Sequence, residues 1–146
     1  SNLTWNDLSG LLDQGHAIGA HTASHVRLSA IGAADELHRE VVESADTLSH
    51  RLGTPIDHFA FTYGDLASLS REAFEVARRR FTFVHSGMRG DNVGVSPLAI
   101  RRDPCAMIDA RHNYFLYSNP FTGALLEGAG DRRHAANLAR LDAWAR

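Results

Sequence analysis

Histidine carries the chemistry open to this chain. There are nine His among 146 residues, and an imidazole can bind a metal or move a proton near neutral pH. Two of them stand four apart in the string His21-Thr22-Ala23-Ser24-His25. On a turn of helix that spacing puts both rings on one face, within reach of a single ion. Spacing alone leaves two readings open, because nine histidines placed at random would give about half such a pair. One reading is a metal-binding pair; the other is two unrelated surface or capping histidines.

Several other chemistries are excluded. All 15 basic residues are Arg, which removes Schiff-base chemistry and the phosphate-binding lysine of nucleotide loops. Cys105 is the single cysteine, so an internal disulfide framework and a Cys-rich zinc site are both ruled out. It reads as a small semi-buried residue after Pro104 rather than a nucleophile. Gly87, Gly90 and Gly94 lack the spacing and strand–helix context of a nucleotide loop.

The elements that must position the histidines alternate between helix and strand. Thr4 and Asp7 form a capping signal for a first helix, with Trp5, Leu8, Leu11 and Leu12 on one face and Gly15 as its stop. Ala17 to Ala20 is a short apolar strand. Leu37, Val41, Ala45, Leu48 and Leu52 predict a helix over 33–52, with Glu36, Arg39, Glu40 and Glu43 facing away. Gly53 and Pro55 end it. A second strand follows at 58–61, a helix from Ser70, a third strand at 81–84, a Gly-rich loop at 86–97, a fourth strand at 98–101 and a last helix at 131–144. Short apolar strands joined by helices predict an α/β fold with parallel pairing. Ligands then sit at the carboxyl ends of the strands, which selects the loops after Ala20, Phe61 and Val84.

Bulk properties set the frame. A chain of 146 residues is one domain's worth. A net charge of −2 gives no reason to expect nucleic acid or an anionic membrane as partner. No apolar run approaches the roughly 18–20 residues of a membrane span. No leader segment is visible at Ser1, and the compartment stays open, with the cytoplasm as default.

Leu3-Thr4-Trp5-Asn6-Asp7-Leu8, followed by Gly15 through His25, closely resembles the second motif of the polysaccharide deacetylase (NodB homology) family. Similarity continues through the following helix to Gly53-Thr54-Pro55 and then to His58-Phe59-Ala60-Phe61-Thr62-Tyr63-Gly64, which resembles the family's third motif. It spans about residues 3–103. The resemblance implies a partial or distorted (β/α) barrel of the NodB type with parallel strands, lacking the first strands. Residues 1–146 would form a single, partial deacetylase domain, with 109–146 as its helical tail.

By the same resemblance, His21 and His25 are ligands of a divalent metal, zinc by preference, and the Tyr63 backbone N–H stabilises an oxyanion. The activity implied is metal-dependent hydrolysis of N-acetyl or O-acetyl groups on a polysaccharide or glycan. Thr62, Tyr63, Gly64 and His85 are the candidates for contact with that acetylated saccharide.

The sequence also departs from the family pattern. Nothing matches the paired aspartates of the first motif, so the base Asp and the third metal ligand are expected upstream of Ser1. Thr62 replaces the usual Pro, and Ala60 stands where many members carry Arg. The general-acid His has no clear counterpart; His85 and His112 are the available substitutes, and each reads as an incidental polar residue. His16, His38, His50 and His134 read as solvated.

Without carboxylate and base, the isolated chain is expected to bind metal weakly and turn over little. Unpaired parallel edges imply an intimate homodimer or further N-terminal residues. Two other functions fit the same residues: a non-catalytic saccharide-binding or assembly remnant, and a deacylase of a small non-sugar amide.

Overall fold

The computed structural model describes residues 3–102 and 132–146. Helix α1 (Trp5–Asp13) opens on Thr4, whose hydroxyl accepts from the Asp7 N–H while the Asp7 carboxylate accepts from the Thr4 N–H. This is the reciprocal cap that the sequence predicts. The apolar stripe of α1, however, buries no residue. Leu8, Leu11 and Leu12 are half-buried, and the exposed Trp5 ring lies 4.6 Å from the Arg51 guanidinium carbon.

Three short strands follow at intervals, β1 (Gly19–Ala20), β2 (His58–Ala60) and β3 (Phe83–His85), all parallel and in the order β1-β2-β3. Gly19 pairs with His58 and Ala20 with Phe59; His58, Phe59 and Ala60 pair with Phe83, Val84 and His85. The fourth expected strand is not one. Pro97–Ala99 is a 3-10 turn started by Pro97 and capped by Ser96, and Ile100 makes only an isolated parallel bridge to His85. A proline fixes φ and has no N–H to give a ladder, so the chain curls before it can extend.

Alternate positions on the strands separate the two faces of the sheet. Ala20, Phe59 and Val84 are buried, whereas His58, Ala60, Phe83 and His85 are half-buried on the opposite side. The buried side packs under helices. α2 (Ala34–His38), a π-helical turn (Arg39–Glu43) and α3 (Ser44–Leu52) run on without a break and end at Gly53 with φ +64°. They bury Leu37, Val41 and Ala45, as the apolar spacing predicts. α4 (Arg71–Arg80) is capped by Ser70 and buries Ala73, Phe74 and Ala77. α5 (Arg132–Ala145) closes the core with Leu141 and Trp144, whose ring lies 5.8 Å from that of Phe74. Phe59 stacks on Phe81 at 5.0 Å beneath the sheet.

The loops after β2 and β3 meet backbone to backbone. The Gly87 N–H donates to the Gly64 carbonyl at 2.9 Å. A Cβ on Gly64 would lie 2.6 Å from the Gly87 Cα, and Gly64 already holds φ +77°. Both conditions demand glycine. Gly64→Ala is therefore expected to cost about 2 kcal/mol, lowering Tm by roughly 5–10 °C. Gly53→Ala, strained in φ but facing open space, should lose less. Equal losses in thermal unfolding would show that the close approach contributes nothing.

Candidate metal centre

His21 leaves the end of β1, and His25 follows in a loop rather than on the helical turn that the spacing suggested. Thr22 and His25 hold left-handed φ values of 64° and 59°. These two residues, rather than a helical repeat, fold the string back so that its rings converge. The ring centroids of His21 and His25 are 5.0 Å apart at an interplanar angle of 71°. Tyr63 joins them, its ring 5.3 Å from that of His25. With φ 63°, Tyr63 is the third and last non-glycine residue of positive φ among the described residues. Such conformations cost on the order of 1–3 kcal/mol each and persist where the surroundings over-determine them.

Three side chains supply that support. The His21 Nδ1 lies 2.6 Å from the Ala60 carbonyl oxygen. A carbonyl can only accept, so Nδ1 carries the proton and the Nε2 lone pair is left for a ligand. The Thr22 hydroxyl accepts from the His25 N–H at 3.0 Å. The Glu40 carboxylate accepts from the N–H groups of Ala23 and Ser24, each at 3.0 Å, and from the Ser24 hydroxyl at 2.7 Å.

Glu40 corrects the outward reading of its helix: it is 7% exposed. Its position, three after Leu37 and next to Val41, lies on the apolar stripe itself. Burial acts to raise its carboxyl pKa. The hydrogen bonds from Ser24 and Ala23, with the charge of Arg39, outweigh that and hold it below the ordinary value.

The other predicted residues are placed differently. Thr62 is fully buried, and its hydroxyl donates to the Val26 carbonyl, so it ties two loops together. Gly64 is buried against Gly87. His85 lies on the half-covered sheet face, its Nε2 3.0 Å from the Nδ1 of His58. His58 in turn stacks on Phe83 at 4.5 Å. Sequence reasoning missed this pair, although strand register alone places the two residues on one face. His134, read as solvated, is half-buried with Nε2 3.0 Å from the Arg89 carbonyl. His112 and Cys105 lie outside the described residues. Among the described residues no third His, Cys, Asp or Glu joins His21 and His25 in a metal-holding group.

The sequence profile described as polysaccharide deacetylase matches residues 2–80. The chain belongs to the polysaccharide deacetylase family. Solved structures share its fold. BC0361, a polysaccharide deacetylase from Bacillus cereus, matches with a TM-score of 0.64 at 16% identity over 79% of this chain and 36% of its own. The Streptococcus pyogenes deacetylase PplD, solved in complex with acetate, matches with a TM-score of 0.68 at 19% identity, over 82% of this chain and 52% of its own. The chain thus spans between about a third and a half of these structures, and its α/β arrangement of parallel strands is theirs. No curated protein matches it.

Acid should act on the fold through two groups in separate windows. Burial, followed by the facing charges of His58 and Arg102, pushes the His85 imidazole below its ordinary value. Folding therefore favours neutral His85, and stability falls as pH drops from the ordinary imidazole value to the depressed one. Glu40 contributes stability above the ordinary carboxylate value, which is lost as pH falls through its depressed one. Chemical denaturation across pH should show both steps, with His85→Gln abolishing the upper one. Glu40→Ala is expected to cost about 2–3 kcal/mol at neutral pH; an unchanged midpoint would remove Glu40 from this role.

Proposed function

We propose that this chain forms part of a metal-dependent deacetylase that hydrolyses N-acetyl or O-acetyl groups on a polysaccharide or glycan. His21 and His25 are the protein ligands of a divalent cation, zinc by preference. The observation that carries this reading is the convergence of the two rings at 5.0 Å, with the His21 Nδ1 committed to Ala60 and its Nε2 left available. Two imidazoles suit zinc or a similar first-row ion and make up half of a four-coordinate shell. Bound there, such an ion supplies Lewis acidity toward water and toward a carbonyl oxygen.

The chain's own residues orient and stabilise. The Ala60 carbonyl fixes the tautomer and angle of His21, and second partners of this kind support metal affinity. Glu40 holds the loop that carries His25. The Tyr63 N–H meets no acceptor among the described residues, which suits it to donate to the oxygen that becomes negative when an acetyl carbonyl is attacked. One such donor is worth ~2.7–4 kcal/mol in the transition state. The exposed Tyr63 ring offers an apolar surface beside the imidazoles, against which a sugar face can lie.

Zinc titration of the chain, followed by calorimetry, tests the reading. Wild type is expected to bind one ion weakly, with affinity falling in acid because each ligand nitrogen must lose its proton. His21→Ala and His25→Ala should each weaken binding by about tenfold or more. Equal affinity in wild type and both variants would sink the assignment. The isolated chain is expected to release negligible acetate from an N-acetylated oligosaccharide, since no carboxylate base stands with the pair among the described residues.

A further inference from the structure

Arg27 stands beside the candidate site with part of its guanidinium uncommitted. Two successive ring contacts lead to it from the imidazoles: His25 to Tyr63 at 5.3 Å, and Tyr63 to the Arg27 guanidinium carbon at 4.3 Å. The group is fixed from one end only. Its Nη1 donates to the Ser68 hydroxyl at 2.5 Å and lies 3.6 Å from the Asp65 carboxylate. Nε and Nη2 have no partner among the described residues. Those two N–H groups form the side-on fork of the guanidinium, the geometry that holds a planar oxyanion by two parallel bonds. The side chain is 47% exposed, so nearly half of it is accessible to a ligand from solvent.

We infer that Arg27 selects an oxyanion, a carboxylate or a phosphate ester, carried by the acetylated glycan next to the sugar held at His21 and His25. The inference rests on the deacetylase reading and narrows its substrate to anionic glycans. Tyr63 and Ser68 immobilise the guanidinium before the ligand arrives, which reduces the ordering that binding requires. Asp65 offsets much of its long-range field. Selection therefore comes from the two short bonds of the fork rather than from net charge.

Binding of three oligosaccharides to the zinc-supplied chain tests this by calorimetry: a neutral N-acetylglucosamine oligomer, the same backbone bearing a uronic carboxylate, and one bearing a phosphate monoester. At least one charged ligand is expected to bind about tenfold more tightly than the neutral one. Arg27→Gln should bring that ratio close to one. Arg27→Lys, which keeps the charge but not the fork, should leave an intermediate ratio. Asp65→Asn, which removes the competing carboxylate, should raise it. The ratio compares ligands on one protein, so a general loss of stability in a variant does not mimic the effect. Equal affinity for all three ligands in wild type, or a preference that survives Arg27→Gln, overturns the inference and leaves the deacetylase reading standing. Failure of every saccharide to bind overturns both.

Discussion

A carboxylate drawn into the helical layer and satisfied by the loop above it is the interaction on which the candidate site depends. Glu40 brings three acceptor contacts to Ala23 and Ser24, the two residues between Thr22 and His25. An isolated buried carboxylate is costly, and unpaired backbone N–H groups are costly too. Each defect removes the other. The loop gains a fixed floor, and the helix gains a partner for a charge it could not otherwise hold among Leu37, Val41 and Ala45.

That floor makes the local backbone strain sustainable. The described residues confine left-handed non-glycine conformations to Thr22, His25 and Tyr63, and all three surround the same pair of rings. A relaxed loop would let His25 swing away from His21. Held by the Thr22 hydroxyl below His25 and by the Ala60 carbonyl behind His21, the rings stay within a span that one cation can bridge. The strands contribute little area of their own, two or three residues each. Their parallel register nevertheless brings the ends of β1 and β2 side by side, which puts Ala60 within reach of His21.

Much of this was legible in the sequence wherever one local pattern dominated. The Thr4–Asp7 cap, the stripe Leu37–Val41–Ala45, the Gly53 stop and the helix start at Ser70 each recur in the structure because their physics involves near neighbours. The family was legible from two strings of residues in register. What failed were readings that assigned a residue's place from its type. Glu40 was turned outward because it is charged, although its spacing put it inward. Thr62 is a ligand candidate through its place in the third motif, and the fold commits its hydroxyl to the Val26 carbonyl. The helical turn assumed for His21 to His25 failed because side-chain acceptors, invisible to periodicity, stabilise a different loop. Residues 98–101 were read as a strand on their apolar character, and the proline that precedes them curls the chain first.

The contact between Gly64 and Gly87 has a mechanical consequence. Gly64 directly follows Tyr63, and its carbonyl is tied to the β3 loop with no side chain to act as a cushion. The two loops are therefore joined backbone to backbone at this point. A displacement at Ser86 or Met88 would meet the Tyr63 amide through this crossing. Residues of the β3 loop thereby acquire leverage over the direction in which that amide points.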